Sequence, residues 1–426
     1  MPTLATAVAA LLLAAPGGTG ADPPTLTLEI ALRELDAQNL TLVQARARAD
    51  EARAVVRQAA SALVPTLSAT GSYTRNSDQA AFLRPGAGLL YIQPLEVWQG
   101  GAAVHLPLIV PSAWFDLGAA RQTAEAAGAS AEAARLDIRA AFAQSAWLAG
   151  MGEEIAAASE RAVAAAREQE QSARRAVIAG TAAPLSVLQA RTITARRESE
   201  LALARSELER ARLALGVFLG RAGPVRVTLP AGAPAADLDP DVLASEALSR
   251  RPELRAREAE VRSADRQLDS ARWRWAPQIA ASGSVFAADV PYPTGQKDGW
   301  RVTLDLAWPL YDGGYRYGKA RQAEAALSGA EAARALERLQ VGQEVQNATR
   351  DVGVARERVR LGERQQEAAA EAAASARRSF AAGVAGSIEV IDANDRLFQA
   401  EVGLADARAR LGTALVALDR AVGRSP

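Results

Sequence analysis

The sequence predicts a mainly α-helical chain with a small β part, written twice. Three observations carry this. Alanine, arginine, glutamate and leucine dominate the middle and end of the 426 residues, the composition of long helices and coiled coils. Between the helical stretches lie four short segments in which apolar and polar residues alternate, the period of a half-exposed strand. The landmarks of the first half also recur in the same order in the second.

Leu4–Ala15 is apolar and is broken by Pro16-Gly17-Gly18. It is too short for the roughly 20 residues of a membrane-spanning helix. It reads as the core of an export signal cleaved after Ala21, with Thr19 and Ala21 as the small residues the peptidase needs. The first basic residue is Arg33, so the positive leader reduces to the amino terminus itself, as in a weak signal or a start placed too late. Residues 1–21 are then the signal peptide, 22–230 the first structural repeat and 231–426 the second. The halves join through the Pro/Gly/Ala stretch Gly220–Pro240.

Leu42–Gly71 aligns with Leu254–Gly283, which sets Pro65 on Pro277, Leu67 on Ile279 and Gly71 on Gly283. Further on, Gly118-Ala119-Ala120-Arg121-Gln122 matches Gly318-Lys319-Ala320-Arg321-Gln322, and Ala179-Gly180 matches Ala382-Gly383. Leu201, Leu208 and Leu215 fall on Leu404, Leu411 and Leu418. Shared alanine richness would match alanine to alanine, but not proline, glycine and heptad leucine in one order. Each half reads as helix, strand, strand, long helix, turn, helix.

The opening helices cover roughly Thr27–Leu63 and Asp241–Trp275, and end at Pro65 and Pro277, because the residue before proline is pushed out of the helical region. The period then drops to two. Leu67, Ala69, Gly71 and Tyr73 alternate with Ser68, Thr70, Ser72 and Thr74, and Val104, Leu106 and Leu108 with Ala103, His105 and Pro107. Ile279, Ala281, Gly283 and Val285 repeat the first pattern, although Phe286 interrupts its polar side. Trp300, Val302, Leu304, Leu306 and Trp308 share one face of the last segment. Each segment is near the ~9–11 residues that cross a bilayer as a tilted strand. Six of the seven tryptophans lie in or beside these strands, Trp98, Trp300 and Trp308 among them. A soluble sheet buries its aromatics, whereas a membrane barrel sets them in girdles at the lipid interfaces.

The long helices follow. Phe115–Ile178 contains no proline and extends on the order of 95 Å as a helix. Its counterpart is Tyr315–Ala381. Ala179-Gly180-Thr181 and Ala382-Gly383-Val384 then turn the chain, with glycine where a left-handed cap is wanted. Leu397, Leu404, Leu411 and Leu418 follow at heptad spacing, with Ala393, Ala400, Ala407, Ala414 and Ala421 out of phase: a narrow coiled-coil seam.

The inventory argues against catalysis. Lys+Arg and Asp+Glu are equal at 49 each, so no net field draws the chain to nucleic acid. Cysteine is absent, which removes disulfides, thiolate chemistry, zinc–thiolate sites and a lipidated anchor. The single histidine, His105, makes no metal cluster, and no calcium-loop spacing occurs. No catalytic residue, cofactor or metal is expected.

Four strands cannot close a transmembrane barrel, since the smallest use about eight. An open edge in lipid leaves backbone groups unsatisfied at several kcal/mol each, so copies of the chain must pool strands. The residues themselves do not choose between two copies and three. The whole order, with Ala31, Asn39-Leu40-Thr41-Leu42, Leu63-Val64-Pro65-Thr66-Leu67, Pro309-Leu310-Tyr311-Asp312-Gly313-Gly314 and the segment from Ala382-Gly383 to Val390-Ile391-Asp392-Ala393, resembles the TolC-like outer-membrane efflux family. The resemblance implies a homotrimer in outer-membrane lipid, with long helical hairpins forming an α-barrel and four strands per chain contributing to a trimeric twelve-stranded β-barrel. It implies a passive exit duct of a tripartite efflux or type I secretion system, served by a periplasmic adaptor and an inner-membrane pump. The tips, Gly180 and Thr181 with Gly383 and Val384, are where adaptor hairpins would meet it.

Glu389 and Asp392 stand i, i+3 just after the second tip, on one helix face. In the family, matching positions project acidic rings into a narrow entrance, and a trimer would gather such carboxylates into a cation-favouring gate. Acids near a helix N-terminus also simply complement its dipole. The first repeat has Ser186 and Gln189 there, and a basic residue that helps lock the entrance in some relatives is here Ala385. Arg174-Arg175 and Arg377-Arg378 before the tips suit helix C-termini. The alternative is an exported coiled-coil adaptor or scaffold without a pore, but an adaptor would flank one hairpin with lipoyl-like and β-barrel segments.

Overall fold

The computed structural model describes residues 23–84, 88–230, 239–292 and 295–426; the expected signal peptide lies outside them. In chain order the elements are β1 (Thr25–Thr27), α1 (Leu28–Gln38), α2 (Leu40–Ser61), β2 (Thr66–Arg75), β3 (Ala80–Arg84), β4 (Gly88–Gln93), β5 (Glu96–Ile109), α3 (Pro111–Ile178), α4 (Pro184–Phe218) and β6 (Arg226–Thr228). There follow α5 (Pro240–Arg250), α6 (Pro252–Trp273), β7 (Gln278–Ala288), β8 (Asp298–Ala307), α7 (Tyr315–Ala381) and α8 (Ser387–Val422). The two long helices run for 68 and 67 residues. No helix of the described residues is long and apolar enough to cross a membrane.

The opening helices are not continuous, which corrects the expectation from periodicity. The first breaks at Asn39 and the second at Arg251, directly before Pro252. The Asn39 side chain caps α2 by accepting from the backbone N–H groups of Thr41 (3.0 Å) and Leu42 (3.1 Å). Its amide also donates to the carbonyl of Phe218 at the end of α4 (2.9 Å). In the second half Arg251 fills the matching place, donating from Nε to the carbonyl of Ala421 near the end of α8 (2.6 Å). Thr27 and Asp239 cap the helices that precede these breaks.

The chain divides into two compact units. Of the described residues, one comprises 23–45, 132–230, 239–252 and 338–426, and the other 46–84, 88–131, 253–292 and 295–337. In the first, α1 packs Ala31, Leu32 and Leu35 onto Phe142, Ala146, Leu215, Leu219 and Val225. Phe142 is fully buried and meets Phe218 edge-on, at 5.9 Å between centroids. Strands β1 and β6 pair in parallel beside this core. Of the heptad leucines, Leu208, Leu215, Leu404 and Leu418 are buried while Leu201, Leu397 and Leu411 are half-buried, and Leu208 and Leu404 sit against Gly152 and Gly362. Trp147, the one tryptophan away from the strands, lies so close to Gly412 that no side chain fits there.

The second unit holds a four-stranded antiparallel sheet in the order β2-β5-β7-β8. Gly101 lets β5 approach β7: a Cβ there would stand 2.7 Å from the Val285 carbonyl oxygen. Strands β3 and β4 form a separate hairpin between β2 and β5. Alternation did not reveal it, and among the described residues no such hairpin separates β7 from β8 in the second half. That is where the alignment of the two halves loses register. Beneath the sheet, Phe115 stacks on Trp273 at 5.9 Å, and Thr123 hydrogen-bonds Ser263 at 3.0 Å.

Candidate functional site

Register decides what the sheet can face. Leu67 stands opposite Val104, Ile279 opposite Leu306, Ala281 opposite Leu304 and Val285 opposite Trp300. The apolar sides of all four strands therefore share one face, and it is bare: Leu67 and Trp300 are each 76% exposed and Leu304 71%. The opposite face carries Ser68, Thr70, Gln99, His105, Ser282, Arg301, Thr303 and Asp305. There His105 Nδ1 meets the Ser282 hydroxyl at 3.2 Å, a contact within the polar face. Phe286 does interrupt this face, as its place in the alternation predicts. It covers the side-chain-free Gly299 across the strand pair and meets the Tyr292 ring edge-on at 5.3 Å.

Aromatics mark both ends of the sheet. At one end Trp98 packs on Tyr73, with centroids 4.8 Å apart, and Trp300 lies exposed at the start of β8. At the other, Trp308 donates its indole N–H to the Trp275 carbonyl (3.1 Å). The Trp275 ring is in turn covered by the Arg316 guanidinium at 4.3 Å. Asp312 fixes that arginine (2.6 Å) and accepts from the backbone N–H groups of Gly314 and Arg316, which starts α7 after the left-handed Gly313 and Gly314. From Trp300 to Trp308 the strand advances about 27 Å before any tilt. Outer-membrane barrels present an apolar band of about 25 Å between aromatic girdles.

The helix tips are built alike. Gly180 (φ 74°) and Gly383 (φ 75°) adopt the left-handed conformation. The N–H of Thr181 then reaches back to the Ala176 carbonyl (2.9 Å) and that of Val384 to the Ser379 carbonyl (3.0 Å). These are two Schellman caps, which satisfy carbonyls the helix leaves open. Val384 is 85% exposed, and Ile178, Leu185 and Ile388 beside the turns are also exposed, so both tips present apolar side chains outward.

Glu389 and Asp392 lie exposed in the first turns of α8. They are not alike in charge. Asp392 is paired with Arg396 one turn on (2.8 Å), whereas Glu389 makes no ion pair among the described residues. The basic pairs before the tips behave as helix-end cations: Arg174 pairs with Glu170, Arg175 donates to Ser172, and Arg377 Nε donates to the Ala373 carbonyl (3.2 Å).

Sequence reasoning missed the contacts that tie one hairpin to the other. Arg197 of α4 is 3% exposed, lies over the Phe398 ring (4.4 Å) and pairs with Asp395 of α8 and with Glu200. Desolvation raises the Glu200 carboxyl, but hydrogen bonds from Arg197 and Arg196 outweigh it and hold the group below the usual glutamate range. Arg161 of α3 reaches Glu401 of α8 at 2.9 Å, and Gln169 donates to Ser387 at 2.9 Å. Only the i, i+3 pair with Glu200 had a sequence signal; the partners on α8 lie two hundred residues away.

A sheet with one bare apolar face, aromatic bands at its ends and long helical hairpins following it define a channel-forming membrane protein. The family of outer membrane efflux proteins matches residues 31–221 and 243–424, and the chain belongs to it. It is an outer-membrane efflux channel, an exit duct rather than a pore-free adaptor or scaffold, in a family of transport proteins and not of enzymes. No curated protein matches the chain significantly. Among solved structures, the outer-membrane channel OprN is 23% identical, with 93% of this chain and 89% of that one covered at a TM-score of 0.77. The outer membrane protein VceC of Vibrio cholerae is 19% identical over 93% and 96% at 0.79. The open state of the MtrE outer membrane channel of Neisseria gonorrhoeae is 21% identical over 93% and 89% at 0.77. At these identities the likeness establishes the fold.

Proposed function

We propose that three copies pool their sheets into one closed twelve-stranded barrel and their hairpins into a periplasmic duct, which conducts cargo passively from an inner-membrane pump. The observation that carries this is the sheet itself: four strands, one apolar face, and free edges at β2 and β8. In lipid those edges have to be paired, and the polar face then lines the lumen. In this reading Trp98, Trp300 and Trp308 sit at the lipid interfaces. The exposed turns at Gly180, Thr181, Gly383 and Val384 receive the hairpins of a periplasmic adaptor. Glu389 and Asp392 form the acidic ring at the entrance, with Glu389 the stronger contributor because Arg396 offsets the charge of Asp392. Residues 22–230 and 231–426 are the products of a duplication, each giving two barrel strands and one hairpin.

The chain has no cysteine, so introduced thiols report without background. Single cysteines along β2 combined with single cysteines along β8 should give disulfide-linked trimers in outer-membrane fractions, and the purified protein should conduct ions in a planar bilayer. Dimers without trimers, or a soluble monomer, would refute the assembly.

A further inference from the structure

The two hairpins do not close on each other everywhere. Between the ion pairs Arg161–Glu401 and Arg197–Asp395 they leave a cavity of about 230 Å³. Its floor is alanine, from Ala158, Ala162 and Ala165 of α3, and its opposite wall is Ile391, Leu397 and Phe398 of α8. A second hollow of about 300 Å³ continues it toward the tips and shares Ala165, Gln169, Arg377 and Asn394. For scale, a dry apolar cavity of roughly 150 Å³ accepts benzene.

The charges lining the first cavity do not cancel, and the second hollow adds one of each sign, Glu168 and Arg175. Arg161 and Arg197 are matched by Glu401 and Asp395. Arg377 at the shared mouth donates only to its own helix, to the Ala373 carbonyl, and has no carboxylate partner among the described residues. Asn394 lies beside it with an amide. An apolar body thus finds a matching chamber, and a single negative group finds an uncommitted guanidinium at its entrance. Arginine's planar fork suits a carboxylate or sulfonate in particular.

We propose that this inter-hairpin cavity is a binding site for a small amphiphilic monoanion, an apolar body somewhat larger than benzene bearing one carboxylate or sulfonate. Arg377 holds the anionic group, and the chamber between the alanine floor and Phe398 holds the body. The occupant touches α3 and α8 at once, so it is bound by the pair of hairpins and by neither alone.

The test is equilibrium binding of 2-naphthoate to the purified full-length protein in detergent, followed by calorimetry, with neutral 2-naphthalenemethanol as the comparison. The expected result is saturable binding, one per chain, with the neutral compound about tenfold weaker, the scale of one charge-assisted hydrogen bond. Arg377→Gln should weaken naphthoate about tenfold and leave naphthalenemethanol unchanged. Ala165→Phe, which fills the chamber, should abolish binding of both. Oligomeric state and helical circular dichroism, read on each variant, confirm that it has folded. Absence of saturable binding to the folded wild-type protein, equal affinity for the two compounds, or binding indifferent to Ala165→Phe would each overturn the proposal.

Discussion

The break between α1 and α2 can be tested at one residue. Asn39 does two jobs with one side chain: its oxygen caps α2 through Thr41 and Leu42, and its amide satisfies the Phe218 carbonyl at the end of α4. Asn39→Ala removes both. Losing the cap costs about 1 kcal/mol, and stranding a carbonyl at this nearly buried position costs about 1–3 kcal/mol. The sum, about 2–4 kcal/mol, should appear as faster local opening rather than global unfolding, because the break sits at an element boundary. Hydrogen–deuterium exchange of peptides covering 38–45 and 214–221 is the assay. In the variant, amides of both peptides should exchange on the order of 30- to 700-fold faster, at 1.4 kcal/mol per tenfold. Asn39→Ser keeps a capping oxygen but loses the reach to Phe218, so both 38–45 and 214–221 should exchange about fivefold more slowly than in Asn39→Ala, yet faster than in wild type. Acceleration under threefold in Asn39→Ala, or a change confined to 38–45, would refute the shared role.

Three further outcomes follow from the same geometry. Gly412→Ala drives a methyl into the Trp147 indole and should lower the unfolding midpoint by a penalty of about 1–3 kcal/mol; Trp147→Leu in the same chain should restore most of it. Glu389→Gln should reduce cation preference in planar-bilayer conductance more than Asp392→Asn does, since Arg396 already compensates Asp392; equal losses would show that Arg396 offsets nothing, and no loss in either variant would remove the acidic ring from the entrance. For Glu153, burial raises the carboxyl but hydrogen bonds and charge from Arg212 and Arg226 win, leaving it below the ordinary value of 4.5. A depressed folded value means stability present above that pH and lost as the pH falls through the folded value. Wild type should therefore melt above Glu153→Gln at pH 7, and the two should converge below about pH 4.5; a gap that persists in acid would show the residue acts by packing alone.

What the sequence disclosed depended on the kind of constraint. Backbone constraints were plain: the second long helix spans Tyr315–Ala381 as its lack of proline and its glycine stop indicate, and Gly180 and Gly383 turn the chain where the left-handed conformation is needed. Alternation placed the four long strands, because a sheet with one apolar and one polar face enforces a period of two. The β3–β4 hairpin escaped, since Ala80–Gln93 has no alternating face to reveal it. The break at Arg251 was readable from Pro252, and the pairing of Asp392 with Arg396 from their i, i+4 spacing. The Arg197–Asp395 contact was not readable, because nothing local distinguishes a mid-helix arginine that will be buried by a distant helix from one that stays in water.

The matching joints of the two halves show why those kinds of signal differ. Asn39 and Arg251 occupy corresponding breaks and each donates to a carbonyl near the end of its half's last helix, yet one is a short amide and the other a long guanidinium. A lone carbonyl asks only for a donor within reach, so the chemistry of the residue is free to vary while its function holds. Gly220 and Gly423 follow those same helices with φ of 69° and 83°, and there the residue is glycine both times. A positive φ penalises any side chain at the position itself, whatever its neighbours provide. Landmarks that align the two halves are therefore those set by backbone conformation, and the polar contacts that finish each joint have to be found in space.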